Sequence, residues 1–242
     1  MSQRRRIVSL LAAAIIGLGA FVSISCADGG SRYFDPQLVV LERVLPPPPA
    51  AGSPAERAEL DAMLKIQAER TPAQAERAKL DAKISIFQFA DAVGTAAAFS
   101  ADKLPAVAAL FDNVLEAETA VVRPAKRSFG RPRPYATDTR LVPVIDRLDS
   151  KSYPSGHSTW AFAAGLVLAD MLPERRKEIL ARAAEFAGNR VVAGVHYPSD
   201  VDAGRISGSV LAAFLFASPK FRDEEKLAAA ELRAALKLPP LR

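Results

Sequence analysis

Beyond residue 53 the chain is written almost entirely in one period. Alanine- and leucine-rich segments place their apolar residues at helical spacing, and no stretch shows the alternation of a half-buried strand. A chain with that single period packs helices on helices, so the expected class is all-α: a single-domain bundle whose long helices bury Ala- and Leu-rich faces. The first helix opens at Ser53-Pro54-Ala55-Glu56, a serine cap with proline at the first helical position. Further helices are expected at 72–97, 103–122, 157–171, 174–192, 199–217 and 222–236, with Pro173 in the first turn of the 174 helix. Val201, Ile206, Val210, Ala213 and Phe214 stripe the helix after it. Residues 55–62 (AERAELDA) recur as 75–82 (AERAKLDA), two copies that suit paired helices and are too few for a solenoid.

Composition narrows the chemistry. With 242 residues, half of them hydrophobic, the chain buries a sizeable core and belongs to neither the disordered nor the fibrous class. One cysteine makes no internal bridge, and with two histidines it cannot complete a Cys/His zinc site, so any metal would be held largely by oxygen. Any histidine chemistry falls to His157 and His196.

Two segments precede the helical body. Residues 1–27 read as an export signal: Arg4, Arg5 and Arg6 form the basic region, and Ile7 to Ile24 supply the apolar run. Ser25 and Ala27 place the cut before Asp28, which discards Cys26 and sends the mature chain to the periplasm or outside the cell. An uncleaved anchor, a lipid on Cys26 and a twin-arginine route are the alternatives for the same residues. Loss of the three arginines reduces the net charge from +5 to about +2, poor evidence for a nucleic-acid partner. No second apolar run of about 18 residues free of charge follows, so no further span is expected. Residues 28–53 read as an extended, Pro-rich arm, with Val39, Val40, Leu41 and Val44 ahead of Pro46 to Pro49, packing across the domain that runs from 54 to 242.

Three stretches break the helical pattern and carry the polar chemistry. In Lys126-Arg127-Ser128-Phe129-Gly130-Arg131-Pro132-Arg133-Pro134 the prolines keep the chain out of regular helix and hold Arg131 and Arg133 extended, a form suited to phosphate, or to a solvated basic loop. In Tyr153-Pro154-Ser155-Gly156-His157-Ser158 a serine cap, a glycine and free first-turn amides make an anion site faced by His157, or a capping turn with an incidental histidine. Asn189-Arg190 and His196-Tyr197-Pro198-Ser199-Asp200 allow a carboxylate to hold one imidazole nitrogen and leave the other as a nucleophile; taken alone, a His/Asp pair at this spacing is usually a surface pair. Tyr153 and Phe129 are candidates for stacking on a nucleoside base or for packing the cleft wall.

Taken jointly, Lys126 with Arg133-Pro134, Pro154-Ser155-Gly156-His157, and Arg190 with His196 and Asp200 resemble the signature of the type 2 phosphatidic acid phosphatase superfamily, which also holds vanadium haloperoxidases and bacterial class A non-specific acid phosphatases. The chain is similar to the class A enzymes outside the site as well, at Leu45-Pro46-Pro47-Pro48-Pro49, Gly52-Ser53, Asp61-Ala62, Asp81-Ala82 and Ser199-Asp200-Val201-Asp202-Ala203. It departs from them in having Asn189 where Ser is usual, and in lacking the disulfide cysteines of some relatives.

The resemblance implies a helical fold of the acid phosphatase/vanadium-dependent haloperoxidase type and a broad acid phosphatase acting on small phosphomonoesters, blocked by vanadate and needing neither metal nor cofactor. It assigns His196 as nucleophile, Asp200 as its orienting partner, His157 as acid and then base, and Lys126, Arg133, Ser155, Gly156 and Arg190 as the phosphate cradle. Activity is expected to peak at acidic to near-neutral pH, with His196 neutral and His157 protonated. A vanadate-dependent haloperoxidase, a membrane lipid phosphatase and a non-catalytic anion or nucleic-acid binder are the competing readings. A homo-oligomer is compatible with all of them.

Overall fold

The computed structural model describes residues 30–94 and 98–241, so the export signal, Cys26 and the cut before Asp28 lie outside the described residues. The described residues form α1 (Pro54–Glu69), α2 (Pro72–Leu80), α3 (Ala90–Val93), α4 (Pro105–Phe129), α5 (Pro134–Thr137), α6 (Gly156–Met171), α7 (Arg176–Val192), α8 (Pro198–Ala217) and α9 (Pro219–Ala235), with short 3-10 turns between some of them and no strand. The all-α expectation holds. Local chemistry sets the helix starts: Ser53, Thr71, Ser155 and Ser218 each accept a hydrogen bond from the amide three residues on, and proline follows three of the four caps.

The bundle is built around α6. From Trp160 to Met171 it is almost wholly buried, and α4, α7 and α8 pack against it. The α6–α8 contact is backbone on backbone: a β-carbon at Gly204 would lie 2.5 Å from Ser158 Cβ, and one at Gly208 would lie 2.5 Å from the Thr159 carbonyl oxygen. That approach brings together the amino ends of α6 and α8, which carry the second and third polar stretches, and the Ser155 amide donates to the Asp200 carbonyl at 3.0 Å. Among the described residues no single helix is long and apolar enough to cross a membrane.

Four helix boundaries differ from expectation. The 72–97 segment is not one helix: α2 ends at Leu80, a 3-10 turn follows at Ile86–Phe89, and α3 is one turn; Thr95 to Ala97 lie outside the described residues. The reason is tertiary, because Asp81 and Ile86 leave the helix path to be buried against other elements. The 103–122 helix instead runs to Phe129, so Lys126 to Phe129 are helical and the extended piece shrinks to the residues between Gly130 and Pro134. Exposed Pro124 does not break α4, because Val121, Val122 and Ala125 around it are buried, and Gly130, at φ 64°, ends the helix. α9 begins three residues early at Ser218-Pro219, the same cap-proline signature as Ser53-Pro54. The 174 helix opens as a 3-10 turn at Pro173–Arg175.

The arm does pack across the domain. Val39, Leu41 and Leu45 are buried against Val121, Val122 and Ala125 of α4 and against Tyr153 and Ala203. The Tyr153 hydroxyl donates to the Pro46 carbonyl, so the proline run braces the turn that precedes Ser155.

Candidate active site

The loop after α7 and the first turn of α8 place His196 and Asp200 four residues apart in a fully buried pair, with His196 Nδ1 3.1 Å from Asp200 Oδ2. The other Asp200 partners are donors: Arg131 Nη1 to Oδ1 at 2.7 Å, and Ser152 Oγ and the Tyr197 amide to Oδ2. Burial pushes the Asp200 carboxyl up, while Arg131, Ser152 and the Tyr197 amide oppose it. A group surrounded by donors acts as a carboxylate acceptor, so His196 carries its proton on Nδ1 and keeps a lone pair on Nε2, a tautomer assigned from these partners. Burial, then the cations Arg133, Lys126 and Arg190, hold His196 well below the ordinary histidine range, which makes it the neutral imidazole a nucleophile requires.

Arg133 closes on that lone pair, with Nη1 2.8 Å from His196 Nε2. It also donates to the Val195 carbonyl and to the carbonyl and hydroxyl of Ser150. Lys126, on the last turn of α4, donates to the Lys151 and Ser152 carbonyls at 2.7 and 3.1 Å; burial and then Arg133 push its pKa down to about 7 against the pull of Asp200 and Glu118. Arg190 is 1% exposed, yet its Nε and Nη1 make no hydrogen bond within the protein. Burial and then Arg133 lower it to about 10, with Asp81 opposing. A buried guanidinium with two unpaired donors, beside two further cations, has the donor set of a site for a multiply charged anion. Ser155 caps α6 and accepts from the Ser158 amide and hydroxyl, which leaves its own hydroxyl proton to donate; the Gly156 amide is a first-turn donor with no intrahelical partner.

His157, in the first turn of α6, packs its ring on Phe186 at 6.2 Å between centroids. Its Nε2 lies 3.0 Å from the Ala82 carbonyl, which can only accept, so Nε2 bears the proton and Nδ1 is left for chemistry. Burial, then Arg190, with smaller contributions from Lys126 and Arg133, push His157 down to about 3, and the Ala82 carbonyl opposes them. In the ligand-free protein, then, burial and the neighbouring cations both disfavour the imidazolium form of His157.

All eight expected residues therefore gather where α4, α6, α7 and α8 meet. Several others in or beside the site were not singled out for these roles by the sequence. Arg131, grouped with Arg133 as a cleft-facing cation, instead supports Asp200, pairs with Glu59 at 2.7 Å and stacks over Tyr197. Asn189 is turned to Asp81, 2.7 Å away, a contact that the usual Ser, with its shorter side chain, would not make. Glu118 reaches Gly156 so closely that a β-carbon there would meet its Oε1 at 2.8 Å, and burial raises its carboxyl to about 7. Tyr153 and Phe129 pack edge to face on one another at 4.8 Å, with Tyr153 only 1% exposed, so they form wall and not a base platform. For Arg131 the available signal was spacing: two residues from Arg133 in extended chain share a face.

The PAP2 superfamily model matches residues 106–224, which spans α4 to α9. The chain is 32% identical over 230 residues to a non-specific acid phosphatase of Providencia stuartii, covering 87% of this chain and 93% of that protein. It is 32% identical over 197 residues to an acid phosphatase of Zymomonas mobilis, covering 79% and 75% of the two chains. It is 34% identical over 187 residues to a non-specific acid phosphatase of Salmonella typhi, covering 74% of each. A bacterial vanadium-dependent iodoperoxidase shares the fold, with a TM-score of 0.56 at 19% identity over 72% of this chain; the match spans about half the length of that peroxidase.

Proposed function

The chain belongs to the PAP2 superfamily, among its non-specific acid phosphatases, and on that premise we propose that it hydrolyses organic phosphomonoesters through a phosphohistidine on His196. The observation that carries the mechanism is buried Arg190, with two nitrogens that lack a hydrogen-bond partner, close enough to a neutral imidazole to depress it, while the lone pair of that imidazole rests against Arg133.

A phosphomonoester dianion meets Lys126, Arg133, Arg190, the Ser155 hydroxyl and the Gly156 amide, donors aimed at the oxygens that carry charge in the transition state. Arg133 then exchanges His196 Nε2 for a phosphate oxygen, and the freed lone pair attacks phosphorus in line. The P–O ester bond breaks, and the leaving oxygen takes a proton from His157 Nδ1. Asp200 stabilises the positive charge that develops on the His196 ring. His157, now neutral, takes a proton from water; the hydroxide attacks phosphorus, and the P–N bond breaks with its electron pair returning to Nε2. The dianion itself supplies what His157 lacks in the free protein, because its charge offsets the cations that hold the imidazolium down.

Hydrolysis of p-nitrophenyl phosphate in EDTA and in vanadate tests the reading: activity that survives the chelator and is lost to vanadate supports it. Acid-labile, alkali-stable label from a radioactive phosphomonoester, absent in His196→Ala, identifies the intermediate; loss of activity in EDTA sinks the mechanism. His157→Ala is expected to spare p-nitrophenyl phosphate, with its good leaving group, far more than alkyl phosphates. Export is part of the same proposal, supported by Arg4 to Arg6 and the apolar run behind them. An exported chain beginning at Asp28 is the expected result of sequencing its amino terminus.

A further inference from the structure

The segment AERAELDA and its copy AERAKLDA both end in Asp-Ala, yet the fold treats the copies differently. Asp61 is exposed on α1, whereas Asp81 is fully buried at the carboxyl end of α2. A buried carboxylate requires partners, and both of those of Asp81 lie on α7: Oδ1 accepts from Arg182, and Oδ2 accepts from Asn189 Nδ2 at 2.7 Å. Arg182 also donates through Nε to the Gln88 carbonyl at 3.1 Å and lies over the rings of Phe89 and Phe186. The turn from 81 to 88 is thereby tied to α7 at both ends.

Two groups of the active site hang on this joint. The residue after Asp81 presents the Ala82 carbonyl to His157 Nε2, while Phe186, one turn beyond Arg182, lies nearly parallel to the His157 ring at 20°. Asn189 is followed directly by Arg190, whose charge Asp81 supports against burial. Positions 182, 186, 189 and 190 share one face of α7.

We propose that Asp81 is a positioning residue: by tying its turn to Arg182 and Asn189 it sets the Ala82 carbonyl where it keeps the proton on His157 Nε2 and leaves Nδ1 to face the leaving group. The inference rests on the reading of His157 as general acid. Asp81 does not touch substrate; it acts through Ala82, and on Arg190 through space.

Asp81→Asn keeps the size of the side chain and turns one acceptor into a donor facing donors. The measurement is kcat/KM on p-nitrophenyl phosphate and on β-glycerophosphate, with His157→Ala beside it. The alkyl phosphate is expected to lose about tenfold or more while the aryl phosphate stays within about threefold, the same sign of selectivity as His157→Ala. Asn189→Ser removes one tie and leaves Arg182, so it shifts the ratio the same way by less, and it decides the matter where Asp81→Asn does not fold. Equal loss on both substrates, the outcome of a purely structural role, overturns the proposal. If His157→Ala is itself unselective, the acid reading fails; if only the Asp81 and Asn189 variants are unselective, the positioning role alone fails.

Discussion

Anion binding to this site should protonate His157. In the ligand-free protein its pKa stands at about 3 against an ordinary 6.5, a difference equivalent to about 5 kcal/mol against the imidazolium. Burial is the larger cause and Arg190, Lys126 and Arg133 add to it; a bound dianion removes the repulsive share and adds an attraction of its own, while burial remains. An upward shift of about two units, about 2.7 kcal/mol, is the expected response to saturating vanadate or phosphate. By reciprocity the ligand binds about 100-fold tighter to the protonated form. The chain has two histidines, so untagged protein gives two imidazole signals, assigned with His157→Asn. Without ligand neither signal should titrate between pH 5 and 8, because His196 is also held well below its usual range. With ligand, one should titrate inside or just below that interval. An imidazole titrating near 6.5 in the free protein, or a curve that ligand leaves unmoved, would refute the electrostatic account of the site.

The same shifts make acid destabilising. His157 is depressed in the fold, so between about 6.5 and 3 the unfolded chain binds the extra proton, and stability falls on acidification by up to about 1.4 kcal/mol per pH unit; urea midpoints of the protein and of His157→Asn should converge as pH drops. Lys126 loses its charge as pH rises through about 7, so kcat/KM should fall there, and Lys126→Arg should carry that limb upward by a unit or more, read from the pH–rate profile. Gly204→Ala drives a methyl into Ser158 and the Ser155 carbonyl, which should cost about 1 to 3 kcal/mol in denaturant unfolding and reduce kcat by separating α6 from α8; an unchanged midpoint would show that the helices part freely.

Helical period and local capping are local chemistry: Ser53-Pro54 and Ser155-Gly156 cap in the structure as their sequence implies, although the same signature at Ser218-Pro219 was passed over. The eight residues expected at the site were picked out by their types and spacings along the chain, and the fold brings them together. Tertiary contact decided the rest. Asp81 ends α2 because its charge finds Arg182 and Asn189 a hundred residues away, α4 crosses Pro124 because its neighbours are buried, and Arg131 turns from substrate to Asp200 because that carboxylate is buried beside it. The protonation of the site belongs to the fold as well. A histidine in the sequence carries an ordinary pKa; only burial among Arg190, Lys126 and Arg133 holds His157 down to about 3.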